Sequence, residues 1–171
     1  NHCSLLVARS DDPRQQLEDF RGSHGLLNSR DSNSGMNLFR HALAPLQQKD
    51  KFFAQVSLTG GHRNSLAEIK AGRGDLAAID SVTFDYLARE ASEEVAGIKV
   101  IGRTAMGPCL PYITRHGGDA TAIRHAMNQA LKDLPDVAGV LAIDEVIPAS
   151  EADYEVLLQY EREGEIFDFG L

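Results

Sequence analysis

The stretch "FFAQVSLTGGHRNSLAEIKAGRGDLAAIDSVTF", residues 52–84, alternates strand-like and helix-like patterns at short spacing. "FFAQVSL" (52–58) reads as a strand. After Gly60 and Gly61, "HRNSLAEIKAGRG" reads as a helix that stops at Gly72 or Gly74, and "DLAAID" (75–80) returns as a strand before a further helix over 82–90. Strands alternating with helices at this spacing predict a parallel sheet covered on both faces. The class is therefore α/β.

The same alternation extends outward on both sides. "SLLVAR" (4–9) is a buried strand, "DDPRQQLEDFRG" (11–22) a short helix with Pro13 in its first turn and Gly22 after its end, and "HGLLN" (24–28) a second strand. Met36, Phe39, Leu43 and Leu46 fall at intervals of three and four, which predicts an amphipathic helix ended near Pro45. "IKVIGRT" (98–104) closes the series as a strand. In "GPCLPYITR" (107–115) two prolines bracket a short extended segment, as where a chain crosses from one lobe to another. Beyond it Ile123, Ala126, Met127, Ala130, Leu131 and Leu134 mark one amphipathic helix. "SEADYEVLLQYEREG" (150–164) is another, opened by Ser150 with Asp153 three residues on. An apolar face such as Ile123, Met127, Ala130, Leu131 and Leu134 needs a cover, from a second copy of the chain, an N-terminal fragment, or collapse of the tail onto residues 1–105.

The chain has 171 residues, 43% of them hydrophobic, enough for one medium domain or two small lobes with real cores. A net charge of -8, with no basic run interleaved with aromatics, excludes a nucleic-acid backbone as the expected partner. An anionic small ligand stays open, since a local ring of N–H donors binds it whatever the global charge. Cys3 and Cys109 lie far apart with no CxxC and no His/Cys cluster at zinc spacing, so neither a metal nor a cofactor is expected. They read as two small buried residues or, in an oxidising compartment, as one cross-fold pair. The sequence shows neither a membrane-length apolar run nor a signal peptide, and it opens at Asn1 as a mature or trimmed chain would.

In an open parallel sheet, ligands sit beyond the carboxyl ends of the strands, where loops run into helix N-termini. Three loops qualify. In "SRDSNSG" (29–35), Ser32, Asn33 and Ser34 supply hydroxyl and amide groups, and the N–H groups of the turn at Gly35 point the same way, a combination that suits a tetrahedral oxyanion. The same residues also serve simply as helix caps. In "LTGGHRNS" (58–65), the glycines allow a tight turn, Thr59 offers a hydroxyl, and His62 offers a ring N–H or stands as a surface histidine. In "AAIDSVTF" (77–84), Asp80 either caps the following helix or accepts from an amine or hydroxyl of the ligand.

The blocks "DFRG", "DSNSGMN", "TGGHRNSLAEIKAGRGDLAAIDSVTF" and "PCLPYIT" resemble, in order and spacing over most of residues 4–115, the phosphate/phosphite/phosphonate substrate-binding proteins of ABC transporters. The resemblance implies the type 2 periplasmic-binding fold. One parallel or mixed-sheet lobe over 10–105 would be complete, while 1–9 and 106–171 would supply hinge strands and the C-terminal part of a lobe 1 whose N-terminal portion is missing. It implies a clamp that grips a phosphonate-type head group with Ser32, Asn33 and Ser34 and with His62, and it implies an ABC permease partner and a periplasmic or extracellular location. Two departures stand out: Gly61 replaces a serine usual in the family's "TGSH" loop, and roughly half of the first lobe is absent. The leading function is thus solute binding without turnover, with a ligand-sensing regulatory domain as the alternative. A hydrolase built on Ser34, His62 and Asp80 is the opposing reading, but no GxSxG elbow accompanies them.

Overall fold

The computed structural model describes residues 1–170. In chain order its elements are β1 (Ser4–Arg9), β2 (His24–Leu27), α1 (Leu38–Leu43), β3 (Gln55–Leu58), α2 (His62–Lys70), β4 (Leu76–Asp80), α3 (Ser81–Glu90), α4 (Ser92–Val95) and β5 (Ile98–Arg103). They are followed by α5 (Ala120–Asp133), α6 (Pro135–Leu141) and α7 (Glu155–Gly164). The five strands form one sheet in the order β3-β2-β4-β1-β5.

β2 is parallel to both β3 and β4, whereas β1 runs antiparallel to β4 and β5. The sheet is therefore mixed, one of the two arrangements expected. A parallel crossover uses a helix-sized connection, and the link from β1 to β2 holds only the helical turn Leu17–Phe20. The helix expected over 11–22 is reduced to that turn for a local reason: the carbonyls of Asp12 and Arg14 accept from the Lys99 ammonium of β5, so they are not free for helical bonds. The strand expected over 52–58 likewise begins only at Gln55. Phe52 and Phe53 precede it, with the Phe52 carbonyl accepting from Gly22 N–H at 2.6 Å, and both rings are buried.

Side chains alternate across a strand, and here both faces are covered. Leu6, Ala8, Leu27, Leu76 and Ala78 face a cluster with Phe20, Phe39, Leu43, Phe52, Phe53 and Phe167. Leu5, Val7, Leu26, Ala77 and Ile79 face the other side, against Leu66 and Ile69 of α2 and Leu87 of α3. The helix start near Gly35, α1 and the turn Ala44–Leu46 make a continuous helical run that ends beside Pro45, as the spacing predicts. Gly72, at φ +70°, ends the α2 region.

The chain divides into two compact units, Asn1–Pro108 with Tyr154–Leu171, and Cys109–Asp153. The first break falls inside "GPCLPYITR". β1, expected in the hinge, lies within the first unit between β4 and the edge strand β5, and α7 also returns there. Its His41 partner Glu163 accepts at 2.9 Å, its Leu157 carbonyl accepts from Asn37 Nδ2 at 3.3 Å, and Gly164 lies against the His41 backbone. Within the second unit, Asn128 on α5 ties down Val146 by bonds of 3.0 and 2.7 Å, and α6 is an element the sequence reading did not contain. None of the unit's residues is fully buried; Ile123 and Leu134 on the expected apolar face stay 43% and 54% exposed. Cys3 is buried and Cys109 exposed.

Candidate functional site

β2, β3 and β4 are mutually parallel, so their carboxyl ends share one edge. The loops after them run together there: the Thr59 and Gly60 N–H groups donate to the Leu27 and Asn28 carbonyls, both at 2.8 Å. Because β1 is antiparallel, its start arrives at the same edge, with Ser4 opposite Asp80. Ser4 Oγ donates to the Ser34 carbonyl at 2.7 Å and anchors the first loop.

The first loop divides its polar groups between capping and display. Ser32 Oγ accepts from the Gly35 N–H at 2.9 Å, and the Ser32 carbonyl accepts from the N–H groups of Met36 and Asn37. The N–H of Gly35, expected to face a ligand, is thus taken by Ser32. The cause is the wide turn Asn33–Asn37, which closes on Ser32 and satisfies its own donors. Asn33 Oδ1 accepts from Asn37 Nδ2 at 3.0 Å, so its carbonyl also serves the turn.

Ser34 differs. Its hydroxyl lies 3.0 Å from His62 Nε2, joining the first loop to the second. Asn28 Nδ2 approaches the same ring nitrogen at 3.4 Å. His62 is half-buried, and burial pushes its pKa below the ordinary value of 6.5; the Asp80 charge and the Ala78 carbonyl oppose that shift. Burial prevails, because removing an imidazolium from water is the larger effect. The linkage sign follows: below the ordinary value the unfolded chain binds the proton more readily than the folded one, so folding stability falls as pH drops through ~6.5. Urea denaturation at about pH 8 and about pH 5.5 should show this fall, and His62→Gln should reduce it. An undiminished slope in the variant would assign it to other groups.

The remaining candidates are held by local bonds. The Thr59 hydroxyl lies 3.2 Å from both the Leu27 and Gly61 carbonyls and 2.7 Å from Ser65 Oγ, which locks the loop. Gly60 takes φ +85°, a left-handed conformation that favours glycine. Gly61 is extended, and a Cβ there would meet nothing within 4 Å, so the family's serine would fit. Asp80 Oδ2 caps α3 by accepting from Thr83 N–H at 2.9 Å and Thr83 Oγ at 3.1 Å. Its Oδ1 faces His2 Nε2 at 3.6 Å. The structure therefore brings Ser34 and His62 together, sets Asp80 behind them as a charge, and gives Ser32, Asn33, Gly35 and Thr59 roles in shaping the loops.

Sequence reasoning missed Asn28, His2 and Ser4. Asn28 ends its strand as an unremarkable amide, and the other two become visible only once β1 is known to be antiparallel. A separate groove beside the edge strand β3, where Arg73 pairs with Glu68 at 2.7 Å, shares only Thr59 with this edge.

The mixed five-stranded sheet with helices on both faces is the fold of the type 2 periplasmic binding proteins. The family model described as "ABC transporter, phosphonate, periplasmic substrate-binding protein" matches residues 2–154, and the chain belongs to this family. Among solved structures, a binding protein component of an ABC phosphonate transporter from Pseudomonas aeruginosa aligns with a TM-score of 0.73 and 17% identity, over 96% of this chain and 58% of its own. PhnD1 from Prochlorococcus marinus in complex with methylphosphonate aligns with a TM-score of 0.74 and 12% identity, over 97% and 68%. XAC2383 from Xanthomonas citri bound to ATP aligns with a TM-score of 0.66 and 19% identity, over 96% and 66%. At these identities the likeness is one of fold. The chain spans from 58% to 68% of the length of these relatives. A search of curated protein sequences finds no match.

Proposed function

We propose that this chain carries the gripping lobe of a solute-binding protein that recognises a small phosphorus oxyanion, such as a phosphonate, phosphate or phosphite, for ABC-type uptake in the periplasm or at the outer cell surface. The observation that carries the reading is the meeting of Ser34 Oγ and His62 Nε2 at 3.0 Å, from two different loops on the edge where parallel strands end. A hydroxyl and an imidazole fixed side by side can each turn a donor to a tetrahedral anion once the anion takes the place of the bond between them and the ring nitrogen carries a proton. Family membership and the methylphosphonate held by PhnD1 favour a phosphorus ligand. In this reading the unit Asn1–Pro108 with Tyr154–Leu171 is the lobe that grips, and Cys109–Asp153 belongs to the other lobe. Ser32, Asn33, Gly35 and Thr59 shape the cradle, while Asp80 tunes the histidine. Delivery to a permease follows as the role of such a protein.

Turnover is disfavoured by the same geometry. A serine hydrolase needs a carboxylate bonded to the Nδ1 side of its histidine. Here Asp80 is committed to Thr83 and faces His2, and His62 Nδ1 is buried without a full hydrogen bond. Calorimetric titration with methylphosphonate, phosphate, phosphite and an alkylsulfonate tests the proposal, combined with phosphorus NMR of the mixture after long incubation. The expected result is preference for a phosphorus oxyanion, recovered unchanged. Preference for sulfonate, binding of none of the four, or a new phosphorus signal would overturn it.

A further inference from the structure

We propose that Asn28 is a positioning residue that holds His62 neutral, with its proton on Nδ1, until an oxyanion arrives, so that binding is coupled to uptake of one proton by the ring. The coupling rests on the oxyanion reading; the hold of Asn28 on the ring does not.

The Ser29 N–H, which can only donate, lies 2.8 Å from Asn28 Oδ1. That bond fixes which way the amide faces, and its NH2 is left pointing at His62 Nε2, 3.4 Å away. An amide nitrogen has no lone pair to offer, so Nε2 must be the acceptor. The side chain is also sterically seated: a Cβ on residue 35 would lie 1.9 Å from Asn28 Oδ1, so only glycine lets the amide cross the start of the turn. The Ser34 hydroxyl, 3.0 Å from the same nitrogen, can donate to it as well. A protonated Nε2 would set donor against donor at Asn28.

An oxyanion reverses the requirement, since it accepts and needs an N–H at Nε2. Moving the proton from Nδ1 would leave a buried lone pair at a nitrogen with no donor to meet it, while the Ala78 carbonyl favours an N–H on the ring. Adding a proton is the route that satisfies both nitrogens. The charged group whose field reaches the ring from the β4–α3 junction is Asp80, shared with His2; Ser34 and Asn28, from the other loops, are neutral. On α2 itself Arg63 is paired with Glu94. The ring thus has one negative neighbour, which supports the imidazolium once an anion displaces the Asn28 contact.

Ring nitrogen NMR of His62 in the protein without ligand tests the hold. The wild type is expected to show an unprotonated Nε2 at neutral pH and to titrate below the ordinary histidine value. Asn28→Asp, which keeps the shape but can only accept, is expected to raise that midpoint above the ordinary value. A protonated Nε2 in the neutral wild-type ring, or equal midpoints in the two proteins, overturns the proposal. For the coupling, calorimetry of methylphosphonate binding in buffers of different ionisation enthalpy should show the wild type taking up close to one proton more than His62→Gln, the ligand's own ionisation being common to both. Equal uptake overturns the coupling while leaving the binding function in place. Should no oxyanion bind, the functional reading and the coupling fall together, and the titration still decides the role of Asn28.

Discussion

Phe167→Ala is expected to lower the unfolding free energy by about 3–5 kcal/mol, the range for removing a buried aromatic ring and leaving its cavity partly unfilled. Phe167 lies in the last turn of chain after α7, yet it is only 2% exposed. Its ring meets Phe169 at 5.0 Å and Phe52 at 6.0 Å, and Phe53 stacks on Phe169 at 6.2 Å. The C-terminal aromatics thus complete the core on one face of the sheet after the chain returns from the second unit. Ile166, next to it and 68% exposed, supplies the control, and Ile166→Ala should change stability by less than ~0.5 kcal/mol. Urea midpoints of the two variants decide the matter. A loss below about 1 kcal/mol for Phe167→Ala would mean that the tail rests on the core without being part of it.

The same residues show where the sequence was legible. Leu66 and Ile69 on α2 obey the helical period, Leu76 to Ile79 on β4 form a short unbroken apolar run, and those elements form at the expected places. Phe167 and Phe169 obey no period. Their burial depends on a contact with Phe52 and Phe53, more than a hundred positions away, which no local pattern encodes. Strand direction was hidden for a similar reason. "SLLVAR" pairs equally well either way, and its antiparallel course is decided by the missing crossover helix and by Lys99, which holds residues 12–14 out of a helix.

The candidate site was legible to the extent that loop position is. Parallel strands place their carboxyl ends together, and this brought the Ser34 and His62 loops into contact. What the sequence did not separate was capping from display. Ser32 and Ser34 are the same residue type two positions apart, but one hydroxyl caps Gly35 and the other reaches the histidine. The difference lies in the wide first turn, whose geometry is set by Gly35 packing against Asn28 rather than by any preference of serine.

Removing the imidazole should be the most damaging single change to binding. His62→Ala is expected to weaken oxyanion affinity by about 1.5–3 kcal/mol, roughly ten- to a hundred-fold, which is the range for a hydrogen bond to a charged group. Stability should change little, because the ring is half-buried and its neighbours Ser34 and Asn28 regain water when it is gone. Thr59→Val should behave in the opposite way, since its hydroxyl bonds only to groups of its own lobe: stability falls while the loop is strained, and affinity follows only through loop position. Parallel calorimetry and urea denaturation on the two variants separate a group that touches the ligand from one that builds the cradle. Wild-type affinity in His62→Ala would remove the histidine from the site and leave Ser34 without the partner that gives the loop its chemical meaning.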